Sequence, residues 1–252
     1  MTFRFIILAA GMGSRMGGTM PKALIPVGGK PILQWLYEST QASKVDGVPI
    51  IVVGHERDQL CQSFNGSCEY VVQEEQLGTG HAVMMAEQAA QGSDAIIVLY
   101  GDHPFISPET LRRLSRQHEE QQNTITMMTV MVPSFDDWRK IFAHWGRILR
   151  DDQGKISGIK EYKDASEKEQ SLLEVNPAFF CFKSDWLWEN LRQLKTNNTQ
   201  KEYYLTDMIA AAVAQKEKIA TMPIAPEEAI GINTPEEREI AETILRQQKR
   251  PE

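Results

Sequence analysis

The sequence predicts an α/β protein, in which a mostly parallel β-sheet is covered on both faces by helices. Short apolar runs with the composition of buried strands alternate with longer helix-like stretches. Glycine turns and a lone carboxylate follow two of these runs, at Gly11 and Asp102, and parallel α/β sheets place their ligands at such strand ends. A chain of 252 residues, 42% of them hydrophobic, is long enough for one large domain with a substantial core.

The first half of the chain carries most of this alternation. The strand-like runs are 3–9, 49–54, 69–73, 95–100 and 124–132. The helix-like stretches between them are 31–43, 79–91 and 108–122. Pro31 and Pro108 stand where a first-turn proline is tolerated, and Ser107 is a suitable cap for the helix that follows it.

The pattern changes from about Gly146. Strand-like runs at 146–150, 154–162 and 174–182 are joined by charged, turn-rich segments, which predicts an antiparallel insertion and a second wall for the cleft. Helices at 184–194 and 206–216, a strand at 218–224 and a charged final helix from Pro235 follow. We therefore expect a single domain over 1–252, with the insertion at about 146–182 and a C-terminal helical segment at 235–252.

Composition narrows the classes of partner and compartment. The net charge of −7, with scattered basic residues, argues against nucleic acid as the main ligand. Three cysteines without metal-ligand spacing are typical of reduced thiols, which makes the cytoplasm the expected location. The N-terminal apolar run stops at Gly11, too early for a membrane span, so no membrane association is expected.

The segment after the first strand is suited to a polyphosphate. Gly11 and Gly13 allow close backbone approach and present N–H groups to an anion, and Arg15 and Lys22 add two cations. For the glycines alone, a simple chain turn is the better explanation. The two cations favour a nucleoside triphosphate site instead.

Two other phosphate-binding patterns do not fit this segment. A dinucleotide fingerprint would need a third glycine three residues after Gly13 and an acidic residue at the end of the next strand. A Walker loop would need a Gly-Lys-Ser/Thr sequence after the glycines, which is absent there.

Asp102 ends a run expected to be a buried central strand, where an unpaired carboxylate is costly. Helix capping is the simpler explanation, but Ser107 already fills that position. A Mg²⁺ ligand is therefore favoured. We expect His103 to point away from Asp102, as successive side chains do in extended backbone.

The stretch from Gln73 to His81 leaves a strand and enters a helix. Gly78 and Gly80 allow backbone contact with a ligand, and Thr79 is a natural helix cap. Gln73 and Gln76 offer donors and acceptors suited to the edge of a pyrimidine. Taken alone, this stretch is better explained by a loop and a helix start than by a site that reads a base.

Together these motifs resemble the sugar-phosphate nucleotidyltransferases, and within them the uridylyltransferase domain of the bifunctional N-acetylglucosamine-1-phosphate uridyltransferases. The resemblance runs from Phe5 to about Asn233. It is carried in order by 8–16 with Pro21-Lys22, Gln73 to His81, Tyr100-Gly101-Asp102, Gly146-Arg147-Ile148, 161–165, 202–207 and Gly231-Ile232-Asn233. It implies a Rossmann-like three-layer αβα nucleotidyltransferase fold with a mixed, mostly parallel sheet and an antiparallel insertion.

The resemblance also implies roles for individual residues. The implied nucleotide site consists of Leu8, Ala9, Ala10, Gly11, Gly13, Gln73, Gln76, Gly78 and Thr79. The implied sugar site consists of Tyr100, Gly101, Gly146, Glu161 and Asn176. Arg15, Lys22 and Asp102 are implied to be catalytic, and Asp102 and Asn233 to hold Mg²⁺.

The chain departs from the family pattern at three points. Members usually continue into a trimer-forming β-helix with acetyltransferase activity; this chain has no hexapeptide repeats, so acetyl transfer is not expected and the oligomeric state is open. Pro177-Ala178 follows Asn176 where the family usually has Thr-Gly, which adds bulk beside the implied sugar pocket and leaves the sugar open. Ser14 replaces a threonine and keeps its hydroxyl.

The implied reaction joins UTP and N-acetylglucosamine 1-phosphate to give UDP-N-acetylglucosamine and pyrophosphate. Catalysis would consist of positioning and charge neutralisation, because no nucleophilic side chain is required. One alternative is a related enzyme that uses another sugar 1-phosphate or another nucleotide, such as a thymidylyl, cytidylyl or guanylyl transferase. Another is a nucleotide-sugar sensor without catalytic activity.

Overall fold

The computed structural model describes residues 1–11, 20–54, 57–64 and 66–248. Ten strands of this part of the chain form one mixed sheet, and two short strands form a separate hairpin. The strands are β1 (Phe3–Ala9), β2 (Pro26–Val27), β3 (Lys30–Pro31), β4 (Ile50–Val53), β5 (Glu69–Val72), β6 (Ala95–Tyr100), β7 (Ile125–Met131), β8 (Arg147–Arg150), β9 (Ile156–Lys160), β10 (Glu174–Val175), β11 (Phe180–Lys183) and β12 (Ile219–Pro223). The helices are α1 (Ile32–Ser43), α2 (Arg57–Ser63), α3 (Thr79–Met85), α4 (Pro108–Gln121), α5 (Glu167–Gln170), α6 (Ser184–Leu191), α7 (Asp207–Ala214) and α8 (Pro235–Gln248).

The sheet has the strand order β5-β4-β1-β6-β11-β7-β10-β8-β9, with β12 also paired to β7. Strands β5, β4, β1 and β6 are parallel, with Ile6 opposite Ile50 on one side and Val98 on the other. Strands β9, β10 and β11 run antiparallel to their neighbours. The predicted mixed sheet with a parallel majority is confirmed.

Alternate residues of the central strands fill two cores, one on each face of the sheet. Phe5 and Ile7 of β1 face the core that is closed by α1, α4 and α8. Ile6 faces the opposite core, which is closed by α3, α6 and α7. All three side chains are fully buried, as the period-2 pattern of a central strand requires. This arrangement is the expected three-layer αβα architecture.

The predicted strand at 174–182 is wrong in one respect, because two separate strands occupy this region. Strand β10 pairs with β7 and β8, whereas β11 lies in the centre of the sheet between β6 and β7. Pro177 lacks an N–H for a ladder, and Ala178 has a φ of +63°, so the chain turns there. The hairpin of β2 and β3 and helices α2 and α5 were not predicted.

The predicted helix at 79–91 is also shorter than expected, since α3 ends at Met85 and turns follow. Ser107 caps α4 as predicted: its hydroxyl accepts a hydrogen bond from Thr110 N at 3.1 Å, and Pro108 opens the helix. No helix within the described ranges is long and apolar enough to cross a bilayer.

Candidate functional site

A cleft opens at the carboxyl ends of β1 and β6, in two adjoining halves. The first half, of about 250 Å³, is lined by Leu8, Ala9, Ala10, Gly11, Lys22, Ala23, Gln73, Gln76, Gly78, Thr79, Ala82, Tyr100, Gly101, Asp102 and Glu202. The second, of about 280 Å³, is lined by Thr79, Tyr100, His103, His144, Trp145, Gly146, Glu161, Asn176, Pro177, Ala178, Gln200, Glu202, Tyr204 and Thr206. Thr79, Tyr100 and Glu202 line both halves, so the two form one continuous groove.

The backbone at the floor of the first half is tightly packed. Gly101 N donates to Leu8 O at 2.9 Å, which extends the ladder of β1 and β6 by one residue. A Cβ on Gly101 would lie 3.1 Å from Leu8 O and 3.2 Å from Ala9 Cβ. Glycine at this position therefore lets the backbone pack closely against the end of β1, and Asp102 follows it directly at the end of the sheet.

Lys22, Asp102 and Asn233 meet at the edge of this half. The Lys22 ammonium nitrogen lies 2.5 Å from Asp102 Oδ2 and 2.6 Å from Asn233 Oδ1. Lys22 opens a short 3₁₀ helix, Lys22–Leu24, after the Gly11 segment. Ile232 N donates to the backbone oxygen of Asp102 at 3.0 Å, which holds Asn233 beside the aspartate.

Charge at Asp102 is stabilised by this arrangement. Burial by itself would raise the pKa of the Asp102 carboxyl, but the nearby Lys22 ammonium outweighs it, and the pKa is lowered. The carboxylate is therefore ionised, and it shares one cation with the Asn233 amide oxygen. The Asp102 carboxylate oxygen and the Asn233 amide oxygen both contact the same ammonium group. Mg²⁺ prefers oxygen ligands of these kinds, so the two side chains would suit an ion that also binds phosphate oxygens.

The prediction that His103 points away from Asp102 is wrong. His103 Nε2 lies 3.5 Å from Asp102 Oδ1, and Nδ1 lies 2.9 Å from Ala229 O. The reason is local: His103 N bonds to Tyr100 O at 3.1 Å, so the backbone is a turn and the alternation of extended chain does not apply. Burial lowers the pKa of His103, which keeps the ring neutral beside the carboxylate.

The two glutamines predicted to contact the base both line the first half of the cleft. Gln76 Nε2 donates to Ala10 O, which ties the loop after β5 to the loop after β1. Gln73 is almost completely buried, and its Nε2 donates to Gly78 O at 3.1 Å. Both side chains therefore also order the loops that form the wall of the cleft.

A backbone clasp joins the segment 77–80 to the segment 203–205. Tyr203 N donates to Leu77 O at 2.8 Å, and Gly80 N donates to Tyr203 O at 2.7 Å. Gly78 has a φ of +106°, and a Cβ there would lie 2.7 Å from Tyr203 O, so only glycine fits. The expected capping role of Thr79 is wrong, because Gly78 is the cap and the Thr79 hydroxyl instead accepts from Leu205 N at 3.0 Å.

Glu161 is one of two glutamates that line the second half, and Glu202 is the other. Glu161 Oε1 accepts a hydrogen bond from the Thr206 hydroxyl at 3.0 Å. Burial raises the pKa of Glu161, the Thr206 hydrogen bond opposes this, and the charges of Asp207 and Asp164 add to the rise. Gly146 lies beside this carboxylate, since a Cβ built on it would be 3.5 Å from Glu161 Oε2.

Asn176 is buried in the lining of the second half, next to Gly146. Its backbone N donates to Gly146 O, and its Oδ1 accepts from Ala178 N, both at 2.9 Å. Ala178 keeps a left-handed backbone, with a φ of +63°, a conformation that favours glycine. Pro177 and Ala178, which stand where the family usually has Thr-Gly, therefore still form a turn. They also place the proline ring and the alanine methyl group in the lining of the second half.

The structure brings nearly all of the described candidate residues into this groove. Arg15 and Gly13 lie outside the described residues, and their predicted roles stay predictions. Within the described part of the chain, no cluster of three or more His, Cys, Asp or Glu side chains could hold a metal ion. Sequence reasoning assigned no role to Glu202 or Thr206, although both belong to the 202–207 motif that contributed to the resemblance.

Comparison with known proteins identifies the family. Residues 5–204 match the profile described as the MobA-like NTP transferase domain. The chain belongs to this family. The resemblance to nucleotidyltransferases seen in the sequence is therefore confirmed.

Relatives of this NTP transferase chain include proteins named bifunctional protein GlmU. The protein of Brevibacillus brevis is 37% identical over 230 residues, which are 90% of this chain and 48% of the relative. The protein of Desulfotalea psychrophila is 35% identical over 250 residues, which are 98% of this chain and 71% of the relative. The chain spans about half the length of most of these curated relatives.

Solved structures of other nucleotidyltransferases share the fold. A UDP-glucose pyrophosphorylase complexed with UDP-glucose superposes with a TM-score of 0.79 at 20% identity, over 99% of this chain and all of the other. A putative glucose-1-phosphate thymidylyltransferase from Bacillus anthracis gives a TM-score of 0.74 at 22% identity, over 99% of this chain and 98% of the other. These likenesses confirm the three-layer nucleotidyltransferase fold.

Proposed function

We propose that this NTP transferase makes UDP-N-acetylglucosamine and pyrophosphate from UTP and N-acetylglucosamine 1-phosphate, with Mg²⁺ as its cofactor. The observation that carries the proposal is the Lys22–Asp102–Asn233 cluster, which lies in the first half of a groove whose second half holds Glu161. A nucleotide in the first half and a sugar phosphate in the second would meet beside this cluster. The similarity to the GlmU proteins supports nucleotidyl transfer, and the resemblance of the sequence motifs to the N-acetylglucosamine-1-phosphate uridyltransferases supports this pair of substrates.

The reaction requires in-line displacement at phosphorus. An oxygen of the sugar 1-phosphate attacks the α-phosphorus of UTP, the bond from that phosphorus to the bridging oxygen breaks, and pyrophosphate leaves with the electron pair. A bound Mg²⁺ would neutralise charge on the phosphates and hold them in line. Asp102 and Asn233 would hold the ion, and phosphate oxygens and waters would complete its coordination.

The side chains of this chain supply the remaining positioning. Lys22 would leave its contacts with the two oxygens and pair with phosphate oxygens, where its charge stabilises the transition state. Arg15 is predicted from the sequence to act beside it. Glu161 would accept hydrogen bonds from sugar hydroxyls, and Asn176 would fix the opposite side of the sugar ring.

The test is pyrophosphate release with Mg²⁺ over a matrix of four nucleoside triphosphates and several sugar 1-phosphates. We expect turnover with UTP and N-acetylglucosamine 1-phosphate. Turnover only with another sugar 1-phosphate would support the mechanism but would replace N-acetylglucosamine 1-phosphate as the substrate. Binding of UTP without pyrophosphate release from any pair would favour a nucleotide-sugar sensor.

A further inference from the structure

Arg147, the first residue of β8, is almost completely buried. Within the described part of the chain, arginines at other positions pair with carboxylates, whereas Arg147 has no acidic partner. Its N–H groups donate instead to backbone carbonyls: Nε to Gln170 O at 3.1 Å, Nη2 to Ala143 O at 2.7 Å, and Nη1 to Trp145 O and to Phe142 O, the last at 3.5 Å. A buried charge is costly without such partners, so the position of the guanidinium depends on these carbonyls.

The carbonyls lie at the ends of two short helices. One group lies at and just after the end of the 3₁₀ helix Asp137–Phe142, and it includes Ala143 O and Trp145 O. The other is Gln170 O, at the last residue of α5. Carbonyls at a helix C-terminus carry partial negative charge, which suits a cation. A guanidinium holds five N–H groups in a planar fork and bonds to both ends at once, whereas a lysine has three on a single nitrogen.

The first helix end leads into the lining of the cleft. His144, Trp145 and Gly146 all line the second half of the groove. The guanidinium bonds to carbonyls on one side of His144, and Asn176 N donates to Gly146 O at 2.9 Å on the other. The segment 142–146 is therefore attached to the protein at both of its ends.

The second helix end leads to Glu161. The side chain of Gln170 donates from Nε2 to Tyr162 O at 3.2 Å, which holds the residue directly after Glu161. The carbon at the centre of the Arg147 guanidinium lies 5.3 Å from the centroid of the Tyr162 ring. The ring of His144 meets the same tyrosine edge to face, with centroids 4.7 Å apart. Arg147 thus connects the two segments that form the second half of the groove.

We propose that Arg147 is a positioning residue for the sugar, which sets the spacing between the segment 142–146 and Glu161. It is not among the residues that line either half of the groove, so it acts through its neighbours and not by contact with substrate. The inference rests on the proposed function, because it assumes that the second half holds the sugar. It goes further in assigning the shape of this half to one buried guanidinium that bonds to both helix ends.

The test compares two substitutions of arginine by lysine in one strand. Arg147→Lys keeps the charge and removes the planar fork. Arg150→Lys is the matched control, because Arg150 lies in the same strand and pairs with Glu174 at 2.6 Å. Gln170→Leu is a second variant, which keeps the backbone oxygen and removes the side-chain bond to Tyr162. Thermal unfolding verifies that each variant is folded.

Two measurements are made on each protein. Hydrogen–deuterium exchange of the nucleotide-free protein reports the order of the segments 142–146 and 161–165. Titration calorimetry with UDP-N-acetylglucosamine and with UDP gives a ratio of affinities that isolates the contribution of the sugar.

In Arg147→Lys, the amides of both segments should exchange about fivefold faster or more, because the bonds that hold them are lost. The affinity ratio should fall by about tenfold or more, while the affinity for UDP itself stays within about twofold. Gln170→Leu should lower the ratio by a smaller factor, and Arg150→Lys should change neither measurement.

Unchanged exchange or an unchanged affinity ratio in Arg147→Lys would overturn the proposal. An equal loss of affinity for both ligands would overturn it too, since a general loss of structure would then explain the effect. If Arg147→Lys does not fold, Gln170→Leu decides, and an unchanged ratio there overturns the proposal. The proposed function fails on a different result, which is the absence of pyrophosphate release by the unmodified protein from any pair of substrates.

Discussion

The Lys22 ammonium lies 2.5 Å from Asp102 Oδ2, although the two residues are 80 positions apart in the chain. The pair joins the segment after β1 to the end of β6, and Asn233 contributes a second oxygen to the same ammonium at 2.6 Å. A divalent ion held by these two oxygens would occupy the space of the ammonium. Lys22 and the ion therefore compete for Asp102 and Asn233.

This competition predicts tighter metal binding once the lysine charge is removed. Lys22→Met should raise the affinity of the nucleotide-free protein for Mn²⁺ by about tenfold or more, because the repulsion and the competing ion pair are both lost. Electron paramagnetic resonance of free Mn²⁺ measures this without any turnover. Lys30→Met is the control, since Lys30 pairs with Glu38 at the surface. Equal or weaker Mn²⁺ binding by Lys22→Met would remove the argument for competition.

The same cluster predicts a large loss of activity in two variants. Lys22→Ala and Asp102→Asn should each lower pyrophosphate release by about a hundred- to a thousandfold, because each removes a preorganised charge beside the reacting phosphates. Asp58→Asn is the control for the aspartate, because its side chain is 86% exposed. Turnover within about threefold of the unmodified protein in either cluster variant would refute these assignments.

Local patterns were sufficient for the parallel half of the fold. The apolar runs of β1 and β6 are enough to predict two buried strands. Because the carboxyl ends of parallel strands lie at one edge of the sheet, the residues that follow these strands are expected there. The place of β11 could not be found in this way. Its pattern shows a buried strand, but its neighbours β6 and β7 are chosen by long-range pairing.

The candidate site was predicted where a residue carries its own chemical signal, as Asp102 does at the end of an apolar strand. It was missed where the role comes from a tertiary contact. Thr79 was expected to cap α3, but its hydroxyl accepts a hydrogen bond from Leu205 N in the segment that the backbone clasp brings beside it. His103 was misjudged because a turn replaces the extended backbone on which the expectation depended.

Glu161 predicts a separation of sugar binding from stability. Glu161→Gln keeps the size of the side chain and an oxygen for the Thr206 hydroxyl, but it removes a charge whose burial is unfavourable. The KM for the sugar 1-phosphate should rise by about tenfold or more, because charge-assisted hydrogen bonds to hydroxyls are lost. The KM for UTP should stay unchanged, and the midpoint of thermal unfolding should not fall, because no unfavourable buried charge is left.

Steady-state kinetics with each substrate varied in turn test this expectation. Glu167→Gln, at an exposed position of α5, serves as the control. An equal rise in both KM values would mean that Glu161 supports the whole groove rather than the sugar half.

His118 predicts a loss of stability in acid. Its ring is fully buried, Nδ1 lies 3.0 Å from Thr126 Oγ1, and burial lowers the pKa of His118 to about 4. Between the unfolded value of 6.5 and about 4, the unfolded chain binds a proton that the folded protein does not. The contribution is complete above pH 6.5 and is lost as the pH falls towards 4, up to about 3 kcal/mol. Urea unfolding at pH 7, 6, 5 and 4.5 should show a shallower decline in His118→Gln, and parallel curves would exclude His118 as a source of the acid sensitivity.

Ala178 predicts that one substitution will stabilise the protein. Its φ of +63° costs an alanine about 1–2 kcal/mol, whereas glycine adopts this conformation freely. Glycine also increases the entropy of the unfolded chain, which offsets about 0.4–1 kcal/mol of the gain. Ala178→Gly should therefore raise the free energy of unfolding by about 0.5–1 kcal/mol and the melting temperature by about 1–4 °C.

The matched control for this change is Ala165→Gly, at a φ of −86° where alanine is unstrained. There only the unfolded-state entropy acts, so the melting temperature should fall. Differential scanning calorimetry of both variants separates the two effects, because relief of strain is available only at position 178. A fall in Ala178→Gly as large as that in Ala165→Gly would show that the turn after Asn176 stores no strain, and that its backbone suits alanine as well as glycine.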